Sequence, residues 1–167
     1  MATTYKAIAT VTLSSGGAAS IDFTSIPQIY TDLVLKISGR LSTNDNYYSM
    51  KINGSLVNFS NRSLLGNGST AGSENWVDNY NIIAERADST ANTFGNAEVY
   101  IPNYAGSANK SLSIDSVTEN NATGAICFLN ASLWAGTAAI TALGIRNITG
   151  GNIAQHSTAT LYGIKNS

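Results

Sequence analysis

The sequence predicts an all-β fold, an antiparallel β-sandwich with a jelly-roll-like arrangement, built by residues 1–167 as a single domain. Three observations point there. Several stretches alternate apolar and polar side chains with a period of two, which sends every second side chain to the same sheet face. Turn signals rich in Gly, Asn and Ser separate these stretches at short intervals. Charged residues make up only 11% of the chain against 43% hydrophobic, so the polar surface must come from Asn, Ser, Thr and Gly, which disfavour helices. A chain of 167 residues buries roughly 70% of its unfolded surface, enough for one core without staples.

Taken in order, the first expected strand is 5–13, closed by Ser14-Ser15-Gly16-Gly17. A short strand follows at 20–23, ending ahead of Pro27, and then 32–38, where Leu33, Leu35 and Ile37 share a face. The run 47–52 leads into Asn53-Gly54, two residues that tolerate positive φ, so a tight hairpin with 56–59 is expected there. The region 53–92 is the least regular, and it reads as a long excursion between strands, where binding surfaces commonly lie. Further strands are expected at 81–85, at Ala97, Val99 and Ile101, and at Leu112 and Ile114. Pro102 ends the strand before it, because proline cannot donate to a ladder. The stretch 125–134 is apolar almost continuously, which suits a central strand covered on both faces or a short buried helix. Strands at 140–145 and 158–164 complete the set, for roughly nine or ten short strands and no convincing helix.

Several function classes find no support. The formal net charge is −1 with charges spread along the chain, which offers nothing to phosphate backbones or anionic lipids. Neither nucleic acid nor membrane is expected as a partner: no segment approaches the roughly 18 consecutive apolar residues of a span. The start, Met1-Ala2-Thr3-Thr4-Tyr5-Lys6, lacks the apolar run of a signal peptide, so synthesis in a cytosol without export by that route is expected.

Chemistry-bearing residues are sparse. Cys127 is the only cysteine and reads as a small apolar core residue. His156 is the only histidine, so a zinc site would have to draw its other ligands from carboxylates or Cys127, and no metal or other cofactor is expected. No Gly-x-Ser-x-Gly elbow supports a catalytic serine. The acids include Glu74, Asp78, Glu85, Asp88, Glu98, Asp115 and Glu119, yet nothing in their spacing selects a catalytic pair. Asn44-Asp45-Asn46 resembles the start of a calcium loop without its Gly and distal Glu, and reads as a polar turn. The expectation is a protein that is not an enzyme and has no catalytic residues. The remaining candidates are aromatic: Tyr47, Tyr48, Trp76 and Tyr80, in or near the polar central region, could stack on a sugar or pack against a neighbouring subunit. Trp134 reads as core.

Three stretches carry a resemblance. They are Ile21-Asp22-Phe23-Thr24-Ser25-Ile26-Pro27-Gln28 with Tyr30-Thr31-Asp32-Leu33-Val34-Leu35; Tyr100-Ile101-Pro102-Asn103-Tyr104-Ala105-Gly106-Ser107 with Asn109-Lys110-Ser111; and Ser157-Thr158-Ala159-Thr160-Leu161-Tyr162-Gly163-Ile164. Together they resemble a widespread family of small tailed-bacteriophage virion proteins, while 44–88 has no counterpart in it. The resemblance implies a virion component, similar both to capsid decoration (cement) proteins and to domains attached to tail fibres.

A nearly neutral domain avoids mutual repulsion when hundreds of copies coat a shell, and one compact unit lacks a fibre's repetitive shaft. The favoured expectation is therefore a decoration protein on the capsid exterior. It would stabilise contacts between capsid subunits through 1–12 or a sheet edge, with the major capsid protein and copies of itself, as a homotrimer, for partners. The alternative is a tail-fibre or spike-associated host-recognition domain that binds surface glycan through Tyr47, Tyr48, Trp76 and Tyr80.

Overall fold

The computed structural model describes residues 4–78, 81–121 and 124–165. Among them lie twelve strands and no helix: β1 (Tyr5–Thr12), β2 (Ser20–Phe23), β3 (Asp32–Gly39), β4 (Tyr47–Ile52), β5 (Phe59–Gly66), β6 (Ala71–Val77), β7 (Ile82–Ile83), β8 (Gly95–Ile101), β9 (Lys110–Thr118), β10 (Ile126–Trp134), β11 (Leu143–Asn147) and β12 (Thr158–Ile164). They form an eight-stranded sheet in the order β1-β12-β3-β8-β9-β10-β5-β6 and a four-stranded sheet in the order β2-β11-β4-β7.

Eight of these strands make a jelly roll. With β5, β6, β9 and β10 set aside, first pairs with last and so on inward: β1 with β12, β2 with β11, β3 with β8, and β4 with β7, all antiparallel. That is one long hairpin folded over on itself, and the β12·β3 and β11·β4 pairings close its two sheets of four. The four remaining strands are two hairpins inserted at the same end of the roll, β5-β6 between β4 and β7 and β9-β10 between β8 and β11. They zip onto the larger sheet through β8·β9, and onto each other through β10·β5. The result is a roll whose larger sheet extends by four strands.

The core fills the space between the sheets. Leu33, Leu35 and Ile37 enter it from β3 as their alternation predicts, with Val99 and Ile101 from β8, Leu161 from β12, and Ile21, Phe23, Tyr48, Met50, Ile52, Leu143 and Ile145 from the smaller sheet. Each such side chain contributes roughly 1.5–3 kcal/mol by leaving water.

Parts of the three stretches that carry the resemblance meet at one corner of this roll, on the adjacent strands β12, β3 and β8, while Ile21, Asp22 and Phe23 lie on β2 of the smaller sheet and Lys110 and Ser111 open β9. Asp32 accepts from the Tyr100 hydroxyl at 3.0 Å and from the Asn103 amide at 2.9 Å. The Tyr104 hydroxyl donates to the Pro27 carbonyl. A Cβ on Gly163 would fall 2.4 Å from the Tyr30 ring, so only glycine lets that ring lie on β12. These residues are framework.

Two sequence expectations are corrected. The region 53–92 is not one irregular excursion, because it holds β5, β6 and β7. Its hairpin turns at Asn67, whose side-chain carbonyl accepts from the amides of Ser69 and Thr70, with Gly68 at a φ of 83°. Asn53-Gly54 does form a tight turn, with φ values of 50° and 82°, but it closes only an Ile52–Ser55 bridge. The Asn53 side chain instead ties down the loop before β11, accepting from the Thr141 and Ala142 amides and donating to the Ala139 carbonyl. The chain then crosses to the other sheet.

Candidate contact surface

The inserted hairpins are held to the roll by a neutral polar lock. On the inner face of the extension, Asn61 of β5 and Asn130 of β10 meet Asn81, just before β7, and all three are buried. The Asn61 side-chain oxygen accepts from Asn81 Nδ2 at 3.1 Å and from Asn130 Nδ2 at 3.0 Å. Asn130 Nδ2 also donates to the Asn81 carbonyl at 3.1 Å, and its oxygen accepts from Ser63. Asn81 Oδ1 accepts from the Met50 amide at 2.9 Å, which ties the cluster to β4. A second strut runs from the Ile83 amide to the Ser116 hydroxyl at 3.1 Å. Buried amides are costly unless satisfied, and here each finds partners, so the extension sits in one fixed position. Around this lock pack Phe59, Leu112, Ile114 and Trp134, all part of the core cluster.

The outer face is different in kind. Register places side chains in rows across the sheet: Glu98, Asp115, Leu129, Leu64 and Ser73 in one, and Tyr100, Ser113, Ala131, Arg62 and Asn75 in the next. Strand β10 alternates buried and exposed residues along its length. The expectation that 125–134 is covered on both faces is therefore corrected. Phe128 and Trp134 face in and are buried, while Leu129 and Leu133 are 53% and 38% exposed. Cys127 shares their face and is exposed, so it is not the core residue its type suggested. Leu64, beside Leu129, is 61% exposed, and Val77 at the sheet edge is 77% exposed.

A concavity of about 490 Å³ lies along this outer face, lined by Lys36, Glu98, Tyr100 and Asp115 among others. Glu98 and Asp115 face each other across β8 and β9; only the pairing register could have revealed these neighbours. Lys36 Nζ lies 2.8 Å from Glu98, and that hydrogen bond, ahead of the charge attraction, raises the lysine above its usual pKa. Next to this basin, Leu64, Cys127 and Leu129 line a more apolar one of about 430 Å³.

Of the described aromatic candidates, Tyr48 cannot serve as a stacking platform. Tyr48 is buried at 1% exposure within the core, so its ring faces no solvent; burial first, and the Glu85 carboxylate second, raise its hydroxyl far above the usual tyrosine range. Tyr47 is half-buried and packs edge-on against Phe128 with ring centroids 6.2 Å apart. Trp76 is half-buried on β6, its indole N–H donating to Glu74 at 2.9 Å. Tyr80 lies outside the described residues.

The other reactive types are dispersed. His156 is exposed, at a positive φ of 69°. The Asp45 carboxylate accepts from the Asn46 amide within its own turn. Among the described residues no group of three or more His, Cys, Asp or Glu could hold a metal ion. Glu85 is 1% exposed, with one oxygen accepting from Asn120 Nδ2 at 3.0 Å. Among the described residues, its other oxygen, Asn120 Oδ1 and the Tyr48 hydroxyl are buried without a hydrogen-bond partner.

Comparison with known proteins adds little. No family model matches the chain, and no curated protein does. Among solved structures, a protein of unknown function from Shewanella oneidensis MR-1 aligns over 98% of this chain and 77% of its own at 10% identity, with a TM-score of 0.26, too low to support an argument.

Proposed function

We propose that this chain is a structural component of a tailed-bacteriophage particle, a decoration protein that sits on the capsid exterior and stabilises contacts between capsid subunits. The observation that carries the reading is that the three stretches with the virion-protein resemblance are brought into contact: the ends of β3 and β8 and the loops beside them are bonded to one another next to β12, at one corner of the jelly roll. A shared framework of this kind supports kinship at the level of the whole fold.

The surface is consistent with a role in contact. Strand β1, at one edge of the larger sheet, is exposed along most of its length and offers backbone groups for attachment. At the other end the extension, which includes much of the segment without a counterpart, presents an apolar face. A partner-specific surface on a common framework has that division. Copy number tests the reading: a stained gel of purified particles from the phage encoding the chain should show about one copy per capsid subunit. A few copies per particle, or none, would sink it.

A further inference from the structure

Strand β10 places large apolar side chains on both faces, Phe128 and Trp134 on one and Leu129 and Leu133 on the other, yet the fold covers only the first. Its inner side chains lie in the interior, while Leu129, Leu133 and neighbouring Leu64 remain 53%, 38% and 61% exposed on a single face. The Asn61–Asn81–Asn130 lock fixes this face rigidly to the roll. Four strands at about 4.8 Å spacing, each roughly eight residues long at about 3.4 Å per residue, give a flat footprint of about 500 Å² before side-chain relief. That is the scale of one partner's share in a standard interface, about 800 Å² of accessible surface.

Two charges border the apolar centre, one on each side. Asp115 stands beside Leu129 on β9, and Arg62 beside Ala131 on β5. Neither forms an ion pair among the described residues; Arg62 donates only to the Asn61 carbonyl. The line joining them crosses β10 between Leu129 and Ala131. A two-fold axis in the contact plane, through that crossing and at right angles to the line, lays Arg62 of each copy over Asp115 of the other. It also brings the two Leu129 side chains together and stacks each Leu64–Leu129 pair on its counterpart. An isologous contact needs such a self-complementary patch.

We infer that a second copy of this chain docks on the outer face of β9, β10, β5 and β6, forming a two-fold dimer held by Leu64 and Leu129 and oriented by reciprocal Arg62–Asp115 pairs. The inference stands on the face itself and not on the virion reading, so particle copy number can fail while the dimer holds.

Sedimentation of the full chain over a concentration series tests it, under reducing conditions because Cys127 lies on the same face. The expected result is a reversible monomer–dimer equilibrium. Leu129→Glu should leave only monomer, with an unchanged β-sheet circular dichroism spectrum. Arg62→Asp and Asp115→Arg should each weaken the dimer about tenfold or more, and the two together should restore it to within about threefold of the parent, since reciprocal pairs couple strongly when they meet. A parent chain that stays monomeric, a trimer, a dimer indifferent to Leu129→Glu, or a double variant that fails to recover would each overturn the inference.

Discussion

Asn61, Asn81 and Asn130 show how three uncharged side chains can do what apolar packing does elsewhere, because each amide both donates and accepts, partly to one another and partly to Asp78, Met50 and Ser63. Asn130→Ala would take from the Asn81 carbonyl and the Ser63 hydroxyl the side chain they bond to, and leave the Asn61 oxygen with Asn81 Nδ2 alone. A loss of about 2–4 kcal/mol is expected, read as a lower urea midpoint. Tyr48 is the opposite case, a hydroxyl buried without a partner among the described residues. Tyr48→Phe should be neutral or stabilising by up to about 1 kcal/mol at pH 7.

The same residue sets an alkaline limit. Its folded pKa is raised, by burial first, above the unfolded value of 10.0, so the folded state binds the proton more tightly. The stability this contributes is complete below pH 10 and is lost as pH rises toward the folded pKa. Lys110 has the opposite sign: burial lowers its folded pKa below 10.5, so its penalty eases as pH rises toward that value. Denaturant midpoints between pH 8 and 11 should therefore fall more steeply above pH 10 for the parent than for Tyr48→Phe, a comparison in which Lys110 cancels.

At the scale of the element, β10 separates two roles along one strand. Phe128 and Leu129 are neighbours in sequence, yet the first is 2% exposed and the second 53%. Phe128→Ala should cost about 3–5 kcal/mol, as for a buried aromatic. Leu129→Ser, measured on dilute protein, should change stability by no more than about 0.5 kcal/mol. If the two substitutions cost the same, the orientation of β10 given above is wrong. The β5–β6 hairpin depends on its turn in the same local way. Gly68 sits at a φ of 83° in open space, so Gly68→Ala should cost about 1 kcal/mol through backbone strain alone.

On the whole-molecule scale, the roll joins strands far apart in the chain: β1 pairs with β12, and β2 with β11. Such pairing delays the reward for ordering the chain, and folding in the range of milliseconds to seconds is expected for this class. Protection should follow position in the sheets. Amide exchange should be slowest in β3 and β8, which are paired on both sides and buried against the core, and fastest in the edge strands β1 and β6. If β6 were as protected as β8 in a dilute sample, the extension would be shielded by something other than a self-association that dilution reverses.

The sequence by itself determined the all-β class, the ends of β2, β4 and β12, and the inward face of β3, because two-residue alternation between turn signals depends on local chemistry alone. Strands β5 and β6 escaped it: buried positions of β5 hold Asn61 and Ser63, polar residues that become interior only after Asn81 and Asn130 arrive from distant parts of the chain, and β6 buries no residue fully. The fates of Cys127 and Leu129 were closed to it for a related reason. Periodicity tells which residues share a face, but only the packing of remote segments decides whether anything lies over that face. The contact surface was therefore a decision of the tertiary structure, made where β10 of the second inserted hairpin joined β5 of the first and left its far side bare.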